Sequence, residues 1–218
     1  MDVINDVQEF SEMKIVCISD THNQHNLLTV PDGDLLIHAG DATNLGTFQE
    51  VNKFNQWLGT LPHKHKLFCA GNHDRLFESD YHTAKSLITN AIYLQDDEVI
   101  IEGLKFYGSP HTPWFHNWAF NVQRGEDIRL KWDRIPDDTD VLITHGPPLG
   151  ILDKEGDEHL GCAELLTRVS QLAKLKLHVF GHIHGSAGAF DHNGVLMVNA
   201  SQLNRNHQPH GAVFEIEL

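Results

Sequence analysis

Residues 14–22 read Lys14-Ile-Val-Cys-Ile-Ser-Asp-Thr-His22, a short apolar run that ends in polar residues. A second run of this kind, Asp34-Leu-Leu-Ile-His38, ends just before Gly40-Asp41. Short continuous apolar runs that end in polar, glycine-bearing loops are typical of buried strands in an α/β sheet. These two segments therefore predict the first strands of a layered α/β fold.

Strand and helix patterns continue to alternate along the chain. Apolar residues recur at helical spacing from Thr47 to Leu58, and Thr47 with Glu50 forms a capping-box pattern that predicts where this helix begins. Further helices are predicted at 81–90, 125–132 and 163–175. Further strands are predicted at 66–69, 98–101, 104–107, 141–144, 177–180, 187–191, 195–198 and 212–216, with hairpin turns at Glu102-Gly103 and Asn193-Gly194. We expect one domain over residues 1–218, with residues 1–12 as a short N-terminal extension.

The composition excludes several classes of protein. The 218 residues include 16 Lys+Arg and 30 Asp+Glu, a net charge of −14, and no basic face stands out that a general nucleic-acid binder would need. The three cysteines are widely spaced and form no CxxC motif, which favours a reducing compartment. No apolar run is long enough to span a membrane, and the acidic N-terminus does not fit a signal or transit peptide. We expect a cytoplasmic protein without membrane association, and make no prediction of its oligomeric state.

Five short polar motifs follow five of the predicted strands. They read Asp20-Thr-His22, Gly40-Asp41, Gly71-Asn-His-Asp74, Thr144-His-Gly146 and Gly181-His-Ile-His184. Open α/β sheets bind ligands at the carboxyl ends of their strands, and residues i and i+2 of an extended segment point to the same side. We expect Gly40, Gly71 and Gly181 to let the backbone turn sharply. Each motif alone is common in loops, but together and in this order they predict one metal-binding site.

The five motifs resemble the signature of the calcineurin-like metallophosphoesterases, which runs D-x-H, G-D, G-N-H-D/E, a lone His and G-H-x-H. The similarity extends from Asp20 to His184. Three further segments, 118–121, 124–125 and 144–153, are similar to the metallophosphoesterase-domain-containing proteins, whose catalytic layout is similar to that of class III cyclic nucleotide phosphodiesterases. The resemblance implies a four-layer αββα sandwich, with two mixed β-sheets face to face and helices outside.

The resemblance also implies two metal ions per chain. Motif by motif, one ion would be bound by Asp20, His22 and His184, and the other by Asn72, His145 and His182, with Asp41 as the bridging carboxylate. Nitrogen and oxygen ligands without thiolate favour Mn²⁺, Fe, Zn²⁺ or Co²⁺ over Cu(I). We expect Mn²⁺ first, with Fe, Zn²⁺, Co²⁺ or Mg²⁺ as alternatives. The charge of two divalent ions outweighs that of two carboxylates, so the site would attract an anionic phosphoester despite the net charge of the chain.

Residues beside the ligands are expected to contact substrate. By the resemblance, His73 would protonate the leaving oxygen or bind the phosphoryl group, and Asp74 would either orient His73 or cap its own loop. Asn72 and His111 are the other expected substrate contacts.

Other polar and aromatic residues have weaker assignments. We expect four histidines at the surface, His25, His63, His65 and His207, and His38 in strand-end packing. The aromatic rings of Trp114, Phe115 and Trp118 would either stack on an aryl group or pack in the core. Asn199 and Arg205 would approach substrate oxygens.

The predicted function is hydrolysis of small phosphodiesters, of aryl or cyclic nucleotide type, by attack of a metal-bound hydroxide. Every ligand position and His73 are occupied by competent residues, which favours an enzyme over a family member that binds metal and nucleotide without turnover. Protein Ser/Thr phosphatases usually read G-D-x-x-D-R-G, whereas this chain reads Gly40-Asp-Ala-Thr-Asn-Leu-Gly46. The missing Asp-Arg pair disfavours a phosphoprotein substrate, and a phosphomonoesterase is the alternative.

Overall fold

The computed structural model describes residues 12–210 and 213–218. Its strands are β1 Lys14–Ile18, β2 Leu35–His38, β3 His65–Phe68, β4 Ile92–Tyr93, β5 Asp97–Ile101, β6 Leu104–Ser109, β7 Thr112–Pro113, β8 Asn121–Val122, β9 Val141–Thr144, β10 Lys154–Glu155, β11 Glu158–His159, β12 Leu177–Phe180, β13 Gly188–His192, β14 Val195–Asn199 and β15 Phe214–Glu217. Its helices are α1 Phe48–Leu58, α2 Leu76–Ser79, α3 Tyr81–Leu87, α4 Glu126–Trp132 and α5 Ala163–Val169. No helix in these ranges is both long and apolar enough to cross a membrane.

The strands form two large mixed sheets. Sheet 1 has the order β15-β1-β2-β3-β4, in which β1 to β4 run parallel and β15 pairs antiparallel with β1. Sheet 2 has the order β13-β14-β12-β9-β6-β5, with parallel pairs in the middle and an antiparallel pair at each edge. The carboxyl ends of the parallel strands therefore lie along one edge of each sheet.

Alternating apolar residues of the central strands produce the layers. Ile15 and Val141 belong to a core shared by the two sheets. Their neighbours in sequence point the other way, because successive side chains of a strand face opposite sides: Val16 packs with α1 to α3, and Leu142 packs with α4 and α5. Three apolar cores thus separate four layers, which confirms the αββα sandwich.

Local signals in the sequence are confirmed at several element ends. Thr47 accepts a hydrogen bond from the Glu50 backbone, and the Glu50 side chain accepts one from the Thr47 backbone, as a capping box requires. Asn193 and Gly194 both have positive φ, 56° and 83°, as the hairpin turn between β13 and β14 demands.

Other boundaries differ from the prediction. The helix predicted to reach Leu175 ends at Val169. Hydrogen-bonded turns follow it, and these turns keep Leu172 and Leu175 buried without a continuous helix. The short elements α2, β4, β7, β8, β10 and β11 were not predicted, since two to four residues carry too little periodicity. Residues 1–11 of the expected N-terminal extension, and Ala212 of the last predicted strand, lie outside the described residues.

His178, in the middle of β12, is fully buried. Thr144 Oγ1 donates its proton to the carbonyl of Gly146 at 2.7 Å. Oγ1 is therefore the acceptor in its second hydrogen bond, which Nε2 of His178 donates at 2.8 Å. The opposite ring nitrogen, Nδ1, is buried without a hydrogen-bond partner among the described residues. Burial lowers the pKa of His178 to about 3, because a proton on Nδ1 would be an unpaired charge in an apolar layer.

This burial predicts a pH-dependent stability. An unfolded histidine has a pKa of about 6.5, so below that pH the unfolded chain binds a proton that folded His178 does not, and stability is lost as the pH falls. We predict that below about pH 6 the free energy of unfolding of the wild type falls by about 1.4 kcal/mol more per pH unit than that of His178→Gln. Urea denaturation measures both slopes. His82→Gln, at an exposed position of α3, is the control, and equal slopes for wild type and His178→Gln would contradict the prediction.

Candidate metal centre

The loops that follow the parallel strands of both sheets converge at one place. Asp20, Asp41 and Asn72 follow β1, β2 and β3 of sheet 1, and His145 and the 182–184 segment follow β9 and β12 of sheet 2. The loops are joined by main-chain hydrogen bonds, from Asp20 N to Gly40 O at 2.8 Å and from His22 N to Asp41 O at 3.0 Å. The expected ligands thus lie close together because their strands end at the same edge of the sandwich.

Three expected ligands form a first group. His184 Nε2 lies 3.2 Å from Oδ1 of Asp20 and 3.3 Å from Nε2 of His22. All three side chains are buried or half-buried.

A second group lies beside the first. Nε2 of His145 is 2.9 Å from Oδ1 of Asn72 and 3.3 Å from Oδ2 of Asp41. One donor atom each of Asp41, His145 and His182 lies within 4.8 Å of the others. Asp41 also faces the first group, since its Oδ2 is 3.7 Å from Nε2 of His22. Its carboxylate therefore lies between the two groups, where a shared ligand would be.

The donor set fits divalent metal ions. Ligand atoms about 2.1 Å from one ion and at right angles to each other lie about 3 Å apart, close to the donor separations of 2.9 to 3.3 Å within each group. Imidazole nitrogens, carboxylates and one amide oxygen suit a borderline or hard cation.

The protonation states of these side chains also favour a divalent metal ion. Burial lowers the pKa of His182 to about 3 and that of His22 to about 4, so both rings are neutral and have a lone pair for a metal. Burial would also favour the neutral form of His145, but the Asp41 carboxylate outweighs it and raises the pKa of His145 to about 9. The cluster therefore attracts a positive charge at this point, which a divalent ion can supply in place of the proton.

Comparison with known proteins agrees with this geometry. Residues 13–186 match the family described as calcineurin-like phosphoesterase. The chain belongs to this family. It is 43% identical over 230 residues to metallophosphoesterase domain-containing protein 1 of Homo sapiens and of Mus musculus, covering 94% of this chain and 71% of each relative. Its fold is similar to that of TT1561 of Thermus thermophilus, with 10% identity, a TM-score of 0.58, and coverage of 95% of this chain and 99% of that one.

Family membership makes the protein a calcineurin-like metallophosphoesterase, a hydrolase of phosphoesters that uses divalent metal ions. Among the described residues, the groups of His and Asp side chains that could hold a metal ion contain five of the expected ligands, His22, Asp41, His145, His182 and His184, and they also contain His73 and His207.

Hydrogen bonds behind the ligands of this metallophosphoesterase orient them. Nδ1 of His145 donates to the carbonyl of Ala39 at 3.0 Å, and Nδ1 of His184 donates to that of Asn204 at 3.3 Å. A proton on Nδ1 leaves the lone pair on Nε2, which is the atom that faces the other donors. Asp20 accepts bonds at 2.9 Å from Ser201 Oγ and from the backbone of His182.

Two motif glycines are needed for space and not for a turn. A Cβ on Gly181 would overlap Oδ2 of Asp20, and a Cβ on Gly71 would overlap Oδ1 of Asp41. Neither glycine has a positive φ, whereas Gly40 does, at 106°. The expectation of a sharp turn is therefore right for Gly40 and wrong for the other two, where close packing against a ligand excludes any side chain.

His73 lies beside the ligands, as expected. Its backbone N–H donates to Oδ1 of Asp41 at 2.8 Å, and its ring nitrogen Nδ1 donates to the carbonyl of Asn44 at 2.7 Å. The ring packs against Trp118, with 4.1 Å between ring centroids. A donor atom of His73 also lies within 4.8 Å of donors of His22 and Asp41.

Asp74 does not orient His73. Its carboxylate is fully buried and accepts hydrogen bonds from Gly71 N at 2.8 Å, Thr43 N at 3.0 Å and Thr43 Oγ1 at 2.8 Å. Burial and the Asp41 charge raise the pKa of Asp74 to about 6. Of the two roles expected for Asp74, the structure supports loop capping and not the orientation of His73, because the Asn44 carbonyl binds the His73 ring.

Several weaker expectations need correction. His111 is buried, pairs through Nε2 with Asp96 at 3.0 Å, and is not among the residues that line the cavity. His25 and His63, expected at the surface, are each 2% exposed, because His25 packs on Trp57 and His63 lies beside the bare backbone of Gly33.

Other residues have structural or unexpected roles. The Asn199 amide donates to two backbone carbonyls, those of Leu152 and Ile183. His38 is buried and hydrogen-bonded to Thr21, as packing required. His207 is exposed as expected, but it also lines the cavity, together with Glu155. No motif signalled these two residues, since both lie outside the five motifs, His207 on a loop and Glu155 in the short strand β10.

The glycine packing predicts an effect on metal binding. In Gly181→Ala the new Cβ displaces the Asp20 carboxylate, and we predict at least about a tenfold weaker affinity for Mn²⁺, in the range seen when groups behind a metal ligand are disturbed. Calorimetric titration of the metal-free protein measures it. Gly188→Ala is the control, because a Cβ there would meet its nearest neighbour, Leu152 Cδ2, at an ordinary 3.6 Å. Wild-type affinity in Gly181→Ala would show that this contact does not position Asp20.

Proposed function

We propose that the protein is a dinuclear metal-dependent phosphodiesterase that acts on small aryl or cyclic nucleotide esters. The observation that carries this proposal is the placement of Asp41 between two groups of donors, with Oδ2 facing Nε2 of His22 and of His145. Two divalent ions that share a carboxylate polarise the phosphoryl group and activate the attacking water. The nitrogen and oxygen donors suit Mn²⁺, Fe, Zn²⁺ or Co²⁺, and we propose Mn²⁺ first among them.

Five of the expected ligands, His22, Asp41, Asn72, His182 and His184, border a cavity of about 260 Å³ that admits a small ester. Its lining also includes five residues outside the donor groups assigned above: His73, Phe115, Glu155, Arg205 and His207. The Phe115 ring lies 5.1 Å from that of His182, so an aryl group or nucleobase attached to the phosphoryl group would have an aromatic neighbour.

The position of His73 supports a role in proton transfer. Because Nδ1 donates to the Asn44 carbonyl, Nε2 is the free ring atom, and a protonated His73 would donate from Nε2 to the departing oxygen. The Trp118 ring packs against the imidazole and limits its rotation.

Room on two sides of the site favours diesters over monoesters. A second cavity, of about 430 Å³, adjoins the first and shares His184 and Arg205 with it. A diester has a substituent on each side of its phosphorus and uses both spaces, whereas a monoester uses one.

The same function is consistent with a single-domain protein of the cytoplasm. We infer one domain and a cytoplasmic location, supported by three cysteines that are free and buried. The net charge of −14 argues against general nucleic-acid binding.

The direct test compares matched esters on the Mn²⁺-loaded protein. We predict a higher kcat/KM for bis(p-nitrophenyl) phosphate than for p-nitrophenyl phosphate, since the former fills both cavities, and two Mn²⁺ per chain by elemental analysis. Asp41→Asn is the matched variant and should lose activity and metal, while Asp127→Asn, on the exposed face of α4, should keep both. A higher kcat/KM for the monoester would make the protein a phosphomonoesterase, and a single bound ion would refute the dinuclear centre.

The role of His73 predicts a dependence on the leaving group. We predict that His73→Ala keeps its metal content but loses roughly 10²- to 10⁴-fold in rate on alkyl esters, whose leaving group needs a proton. The loss should be much smaller on nitrophenyl esters, because nitrophenolate departs without protonation. His116→Ala, an exposed histidine of a nearby loop, is the control. An equal loss on every ester would assign His73 to phosphoryl binding instead.

A further inference from the structure

Arg205 lies where the two cavities meet. Its side chain lines both of them and is half-exposed. Nε pairs with Oε1 of Glu155 at 2.7 Å, which is the one polar partner of the guanidinium among residues 12–210 and 213–218. The two Nη groups are therefore available to a ligand.

The β10–β11 hairpin carries Glu155, and the loop after β14 carries Arg205. Both segments are hydrogen-bonded to the turn that begins at His184. Ser186 Oγ donates to the carbonyl of Lys154 at 2.8 Å and accepts from its N–H at 3.0 Å, which positions the β10–β11 hairpin and Glu155. The Asn204 carbonyl accepts the hydrogen bond from His184 described above. Arg205 is thus positioned relative to the metal ligands and is not a freely mobile surface arginine.

Gly185 provides the space for the guanidinium. A Cβ at this position would lie 2.5 Å from Nε and 2.8 Å from Nη2 of Arg205, closer than real Cβ contacts allow. Because Gly185 has no side chain, the guanidinium packs on the main chain directly after His184. This contact brings a fixed positive charge next to the ligand set.

The adjoining cavity is rich in hydrogen-bond donors. Its described lining offers the guanidinium of Arg205, the amides of Asn204 and Asn206 and the imidazole of His210, and it has no carboxylate. Both ring nitrogens of His184, which also lines it, are already used by the Asn204 carbonyl and the metal site. A guanidinium binds the paired oxygens of a carboxylate or phosphate with two parallel bonds. In a chain of net charge −14, a space without carboxylates beside a positioned arginine is suited to an anion.

We infer that Arg205 and the adjoining cavity form a second subsite, which binds an anionic group on the substrate arm opposite Phe115. The preferred substrates are then diesters with a carboxylate or second phosphate on one alcohol. The identity of the substrate rests on the proposed function, whereas the anion preference of the subsite is independent of turnover.

Binding of non-hydrolysable phosphonates tests the subsite. On the Mn²⁺-loaded protein, calorimetry compares 2-carboxyethyl- and 3-carboxypropylphosphonate with propyl- and butylphosphonate, so that two arm lengths are covered. We expect the wild type to bind the better carboxylated ligand about tenfold more tightly than its alkyl counterpart, as one charge-assisted contact at a half-exposed site provides. Arg205→Gln should remove the preference, and Arg205→Lys should retain part of it.

Controls make each outcome informative. Arg129→Gln removes an exposed, ion-paired arginine of α4 and should keep the preference, while Gly185→Ala should lose it by displacing the guanidinium, which serves if Arg205→Gln does not fold. Mn²⁺ content and melting temperature verify each variant. No preference in the wild type, or a preference that survives in Arg205→Gln, overturns the subsite. Preference without turnover of bis(p-nitrophenyl) phosphate would overturn the proposed function and leave the anion subsite standing.

Discussion

The approach of Asp41 to His145 is the contact on which the site depends. Asp41 follows β2 of sheet 1 and His145 follows β9 of sheet 2, so their 3.3 Å separation exists only because the two sheets pack face to face. The shared apolar core, with Ile15 and Val141 fully buried, fixes that packing. Full burial of each such side chain contributes about 1.5–3 kcal/mol. The core of the sandwich therefore sets the geometry of the metal centre.

The site stores strain and charge that the surrounding structure must offset. Four of the expected ligands, Asp20, His22, Asp41 and His182, have positive φ although none is glycine, and each such residue costs about 1–3 kcal/mol. The main-chain bonds between loops, and those to Asp20 from His182 and Ser201, hold these conformations. Metal ions would offset the remaining cost, since binding to ligands in a preformed site stabilises the folded state.

Substrate selection involves residues of a different origin from the ligands. The expected metal ligands come from loops that directly follow central strands, whereas Arg205 and His207 come from the loop between β14 and β15, and Glu155 comes from the short strand β10. Peripheral loops tolerate change better than strand ends. Because the two sets of residues are separate, the residues that contact the substrate arm could change while the metal ligands and the hydrolytic reaction stay the same.

Local chemistry let the sequence by itself determine the fold class and name the expected ligands. Strand periodicity, a capping box at Thr47 and five polar motifs are each legible within a few residues, and the structure brings the seven expected ligands together. The resemblance carried by those motifs supplied the order of the layers. Contacts between distant segments were decided only by the tertiary structure: the Asn44 carbonyl that replaces Asp74 as partner of His73, the burial of His25, and the pairing of Glu155 with Arg205. These depend on where loops far apart in sequence meet, and no local pattern records that.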